Sequence, residues 1–323
     1  MTLFSYHVSH EQFTPSELLE RVVQAEAAGF DGAFSSDHFH PWSASQGHSG
    51  FTWSWLGAAL QATRRLRFAA ITVPGGWRYQ PTVLAQAIAT LGQMFPGRLP
   101  WIAVGSGQAL NESVVGRGWP DKDQRNLHLR EGAEIIQALL AGETVTRHGR
   151  VSAVAARLWA PPSQPTRLVG AATCPQTAHW LGSWAEGLLT VGIDPAQLRQ
   201  IVDAFRAGGG GGKPVYLKAD LSWADSEAEA LQQAHRHWRF NALGGDVNAT
   251  LPTPQDFDLA TRFVRADDLR SRVWLAHDAA RTVDWLAQCS EIGFESIDLH
   301  HVGSDQRGFI DTFGESVLPA LRR

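Results

Sequence analysis

Cysteine is almost missing from this chain: Cys174 and Cys289 stand alone among 323 residues. They lie far apart, with no Cys-x-x-Cys and no histidine at zinc-finger spacing, which excludes a disulfide framework and a structural zinc site. Lysine is equally sparse, confined to Lys122, Lys213 and Lys218, and 28 basic against 32 acidic residues leave a net charge of −4. No basic footprint for nucleic acid or anionic lipid follows from that balance. No apolar run approaches the ~20 residues of a membrane span. The N-terminal stretch, whose first Lys or Arg is Arg21, lacks the pattern of a secretory signal. The expected location is cytoplasmic.

Apolar residues are plentiful, at 44%, and 13 are tryptophan. A chain of this length can bury ~75% of its unfolded surface, so a full core needs no staples. Trp42, Trp53, Trp55 and Trp77 fit either an aromatic-walled cavity or a bulky core.

Short β-rich runs alternate with helical stretches, the pattern of a parallel sheet with crossover helices. Eight strands are expected, at 3–7, 30–36, 66–73, 99–104, 167–171, 187–191, 215–220 and 296–300. Thr14-Pro15-Ser16-Glu17 opens the first helix with a capping box and a proline in its first turn. Gly29-Phe30-Asp31 and Gly293-Phe294-Glu295 echo each other at helix-to-strand junctions. Repeated βα units of this number predict an α/β fold, a (β/α)8 TIM barrel over residues 1–323. Surplus length is expected in insertions after strands four and seven: a hairpin-like excursion at 144–165 with Gly149 at its turn, and 240–258. The glycine run 208–212 lacks the Ser/Thr of a phosphate loop and reads as a flexible turn on the bottom face.

In such a barrel chemistry sits just after each strand. Strand two is followed by Ser36-Asp37-His38-Phe39-His40-Pro41-Trp42, strand three by Pro74 to Tyr79, and strand four by Gly105-Ser106-Gly107-Gln108-Ala109-Leu110-Asn111-Glu112. The last is no dinucleotide fingerprint, because Leu110 replaces the third glycine. Its backbone N–H groups can still approach a planar or anionic ligand, with Gln108 and Asn111 as amide partners. Small residues at 170–173 suit either a phosphate at a helix N-terminus or a tight turn. Tyr216, Lys218 and Asp220 alternate on one face of strand seven, and His300-His301 ends strand eight. A histidine-based metal site is disfavoured, since strands five and six end in Ala172 and Thr190 without a ligand.

Together, Ser36-Asp37-His38-Phe39-x-Pro41-Trp42, Arg78-Tyr79-x-Pro81 with Ala85-Gln86-Ala87, and Gly105-x-Gly107-x-Ala109-Leu110-Asn111-Glu112 resemble the luciferase-like monooxygenase superfamily. The nearest branch is that of the F420-dependent glucose-6-phosphate dehydrogenases, over nearly the whole chain. The resemblance implies a barrel, usually dimeric, that binds FMN or the 5-deazaflavin F420 at its C-terminal mouth. It implies that Asp37 contacts the cofactor, His38 is the active-site base and Trp42 shapes the substrate side. Ile71-Thr72 would carry a non-prolyl cis peptide at a strand bulge behind the isoalloxazine, with Ser106, Gly107 and Asn111 lining the ring. Ala172 and Thr173 would approach the cofactor phosphate.

Two departures redirect that reading. The family's catalytic glutamate is Gln108 here, and an amide cannot deliver a proton at neutral pH. The lysine of the sugar-phosphate pocket falls at Ile193, although Thr190 and Arg272 are kept on the substrate side. The chain looks more like a neighbouring branch, the probable non-deazaflavin flavin oxidoreductases, and that resemblance implies an FMN-dependent oxidoreductase acting on an unnamed small organic substrate, with Gln108 bonding the flavin's pyrimidine edge. The alternatives are an F420-dependent dehydrogenase of a substrate other than a sugar phosphate, and a non-catalytic flavin-binding protein.

Overall fold

The computed structural model describes residues 1–322. Its strands are β1 (Leu3–Val8), β2 (Gly32–Ser35), β3 (Arg67–Thr72), β4 (Trp101–Val104), β5 (Val145–Arg147), β6 (Ala153–Ala156), β7 (Arg167–Ala171), β8 (Leu188–Val191), β9 (Val215–Trp223), β10 (Trp274–Ala276) and β11 (Ser296–His301). β1, β2, β3, β4, β7, β8, β9 and β11 pair in that order, all parallel, and β11 returns to β1. This is a closed eight-stranded (β/α)8 barrel, at the eight places where alternation set strands. β9 runs past the expected residue 220 because its upper half pairs with the short β10, which the sequence pattern did not reveal.

Local signals hold where they were strong. Thr14 caps the helix Pro15–Ala27 through a capping box with Glu17, and Gly29 leaves that helix at φ +91°. β5 and β6 form the antiparallel hairpin expected at 144–165.

One shell of core packs between strands and helices; a second fills the barrel interior, where Phe34, Trp101 and Tyr216 stack in sequence. The interior is not uniformly apolar. On neighbouring strands β9, β11 and β1, Lys218, Asp220, Asp298, His300 and His7 form a polar sector. Tyr216, on the face of β9 expected to point inward, does so.

Gly208 to Gly210 correct the expectation of a flexible turn, while Gly211 and Gly212 do form an exposed turn. Residues 206–210 follow the helix Pro195–Phe205 as a wider turn kinked at Gly209 (φ +106°) and packed on the helix Pro175–Gly182. A β-carbon on Gly208 would lie 1.9 Å from the His179 carbonyl oxygen, and one on Gly182 would lie 2.3 Å from that of Phe205. Glycine serves here to let two backbones touch.

After β9 and its helix Glu227–Trp238, the insertion folds into a turn at Arg239–Leu243 and two short helices, Gly245–Thr250 and Pro254–Ala260. It roofs part of the barrel mouth. Asp258 accepts hydrogen bonds from Ser43 Oγ, the Ala44 N–H and Arg239, while Trp119 Nε1 donates to the Ala249 carbonyl on the other side.

Candidate active site at the barrel mouth

The loop after β2 delivers Asp37 and His38 side by side to opposite duties. Asp37 is buried, and its Oδ1 accepts from Tyr79 Oη (2.9 Å) and Arg78 Nη1 (3.1 Å), its Oδ2 from Thr72 Oγ1 (3.0 Å). A carboxylate has about four acceptor positions, so one remains on Oδ2. Arg78 is itself shared: its backbone N–H and Nε bond to the wholly buried Glu112. Burial pushes Glu112 up to about 7, against the pull of Arg78.

His38 leans the other way. Its Nδ1 lies 3.4 Å from Glu11 Oε1, a group just past β1 that no local motif singled out. Ser9 and Ser36 hydroxyls donate to Glu11 Oε2 at 3.0 and 2.6 Å. Burial raises the Glu11 carboxyl, but His38 and the Ser36 hydroxyl outweigh it, leaving Glu11 below the usual range and ionised. Burial holds His38 below the ordinary imidazole value despite Glu11. At neutral pH the ring is therefore a neutral base backed by an anion.

Against His38 stands Trp42, with ring centroids 5.0 Å apart. Phe240 stacks on Trp42 at 4.7 Å and 12°, and Phe257 meets it edge-on at 5.3 Å. Trp238 completes the wall, touching Phe240 at 4.5 Å and His300 at 4.4 Å. The loops made neither Phe240 nor Trp238 conspicuous in the sequence. Trp53 and Trp55 belong to the outer core instead, and Trp77 packs on Trp119 and His128.

The other expected residues divide. Ile71, Ser106, Gly107 and Gln108 are half-buried at strand ends around the mouth, Ala172 is buried and Thr173 exposed there. Asn111 is buried and spends its Oδ1 on the Phe39 and His40 N–H groups, tying two mouth loops together. Every peptide bond among the described residues is trans, so the cis bond expected at Ile71–Thr72 is absent; β3 keeps an unbroken register with β4, Ile71 opposite Ala103 and Thr72 opposite Val104. Thr190 is fully buried with an unpartnered Oγ1. Arg272 is exposed, and Ile193 gives its carbonyl to Trp285 Nε1. Among the described residues, no three His, Cys, Asp or Glu side chains are grouped to hold a metal.

The residues at the mouth suit a flat ring system. The tips of β3, β4, β7 and β8 present half-exposed Ile71, Gly105, Ser106, Ala171 and Val191 above a closed core. A β-carbon on Gly105 would meet only Ala171 Cβ and the Gly107 nitrogen, both at 4.0 Å, so that loop is not crowded. Gly107 turns it at φ +85°, where a β-carbon would strike Trp119, Val73 and Glu112 at 2.9 to 3.1 Å.

A parallel barrel whose strand-two loop pairs a buried aspartate with a carboxylate-backed histidine is that of a redox enzyme of the luciferase-like type. Residues 1–296 match the luciferase-like monooxygenase family, and the chain belongs to it. It is an oxidoreductase of that family, whose members use flavin or deazaflavin. It is 33% identical over 331 residues to the F420-dependent glucose-6-phosphate dehydrogenase of Beutenbergia cavernae, covering 100% of this chain and 98% of that protein. The enzyme of the same name from Microbacterium testaceum is also 33% identical, covering 99% and 97%. Among solved structures, an F420-dependent secondary alcohol dehydrogenase in complex with an F420–acetone adduct superposes with TM-score 0.92 at 30% identity, covering 100% of this chain and 99% of that one. A long-chain alkane monooxygenase shares the fold at TM-score 0.75 and 16% identity, covering 100% and 91%.

Proposed function

We propose that the protein is an F420-dependent dehydrogenase that interconverts a small uncharged alcohol and its carbonyl compound. One observation carries this reading: His38, backed by Glu11, faces an aromatic wall in which, among the described residues, no cation is left free. The neighbouring cations are committed, Arg78 to Asp37 and Glu112, Lys218 to Asp220. A phosphate or carboxylate entering there would lose its hydration without a partner. An alcohol needs only a proton acceptor and apolar surface.

With Nδ1 turned to Glu11, the favoured tautomer puts the proton on Nδ1 and the lone pair on Nε2. His38 Nε2 then takes the hydroxyl proton as the substrate's C–H bond breaks, and Glu11 stabilises the resulting imidazolium. The deazaflavin, when bound, supplies the hydride acceptor. Gly105, Ser106, Gly107 and Gln108 would hold it with Ile71 and Thr72, and Asp37 has one acceptor position to give it. Ala172 and Thr173 would lie toward its phosphate.

The full-length relatives at 30 to 33% identity favour the deazaflavin over the FMN expected from the sequence. Gln108 supports FMN as the second reading, because an amide stands at the position where the resembled dehydrogenases carry their catalytic glutamate. Equilibrium titration of the purified protein with F420 and with FMN separates the two. Micromolar or tighter F420 binding, followed by alcohol-dependent bleaching of its absorbance, is expected. Binding of FMN alone, with oxygen uptake on reduction, would replace this proposal by the flavin one.

A further inference from the structure

The wall beside His38 is not built from the barrel alone. Phe240 comes from the insertion after β9, and its neighbours on both sides are pinned. Trp238 Nε1 and Asn241 Nδ2 both donate to Asp220 Oδ2 at 3.2 Å, and Arg239 Nη2 donates to Asp258 Oδ1 at 3.1 Å. Asp220 is itself buried and fixed by Lys218 and His300. Three anchored residues thus hold one unanchored ring flat against Trp42. A ring so fixed cannot swing aside for a larger guest, which is how a rigid shell sets the shape of a site.

We propose that Phe240 is the specificity-determining residue of this site, limiting the substrate to small, unbranched or singly branched uncharged alcohols and carbonyls. The inference rests on the alcohol reading above and names what selects among alcohols. Phe240 is 4% exposed and Trp42 8%, so truncation would open volume against Trp42, whose ring centroid lies 5.0 Å from that of His38. Asp220 acts through Trp238 and Asn241 as a positioning residue.

The test compares wild type, Phe240→Leu and Phe240→Ala, each loaded with F420, on 2-propanol and cyclohexanol. Truncation is expected to raise the kcat/KM ratio of cyclohexanol to 2-propanol by about 10-fold or more, the range that a change of apolar pocket volume commands. F420 affinity should stay unchanged. An unchanged ratio in a folded variant overturns the proposal, and Phe240→Leu keeps the test open if the alanine variant does not fold. If no protein, wild type included, oxidises either alcohol, the alcohol reading fails separately. Phe240 is then judged by tryptophan fluorescence titration with the two alcohols. Tighter cyclohexanol binding in the variants supports its gating role, and identical titrations refute it.

Discussion

His38 and Glu11 meet from two different strand ends, β2 and β1, with Nδ1 and Oε1 3.4 Å apart and the carboxylate steadied by two serine hydroxyls. That separation is loose for a hydrogen bond, as is common in sites without substrate. Removing the imidazole should be costly. His38→Ala is expected to lower turnover by ~100-fold or more, the low end for losing a general acid/base, while cofactor affinity persists. Turnover equal to wild type would remove His38 from the catalytic machinery.

Glu11→Gln tests the pair through pH. Burial lowers the His38 pKa and Glu11 raises it, so losing the carboxylate moves the imidazole lower still. A base must be neutral to act, so activity falls as pH drops through its pKa. The acid limb of kcat/KM should therefore shift to lower pH in the variant, with a reduced plateau. An acid limb at the same pH would detach Glu11 from His38.

Gln108→Glu places a carboxyl on the strand-four loop. We expect a changed pH profile without glucose-6-phosphate oxidation, because Ile193 offers no charge and Arg272 is exposed. Appearance of that activity would show that the substrate side tolerates a phosphate after all.

Acid should weaken the fold through its buried histidines. Burial lowers His10 and His300 to about 4 and His301 to about 3. The unfolded chain binds protons at these residues below about 6.5 and the folded chain does not, so their stability is complete above that pH and is lost as pH falls toward 4. Each can remove up to about 1.4 kcal/mol per pH unit in that window. Calorimetric melting across pH 7.5 to 4.5 should show a steady drop in Tm below 6.5, and a flat curve would contradict the buried neutral histidines.

Gly208→Ala should destabilise by about 1–3 kcal/mol, the usual cost of overpacking, since its β-carbon meets the His179 backbone. Gly211→Ala should be near neutral, because that position faces open space at φ −56°. Equal effects in chemical denaturation would restore the picture of a loose turn.

The sequence by itself determined the alternation that makes the barrel, the capping box at Thr14, the hairpin near Gly149 and the placing of Asp37 and His38 just beyond a strand. Each depends on residues a few positions apart, through periodicity, cap chemistry or turn geometry. Only the tertiary structure decided what these residues meet. Glu11 reaches His38 because β1 and β2 pair with Val8 opposite Ser35. Phe240 reaches Trp42 because an insertion with no period of its own is fastened by Asp220 and Asp258. Gly208 is a packed contact because another helix lies against it. Such contacts depend on register and docking between segments far apart in the chain, and no local pattern carries that information.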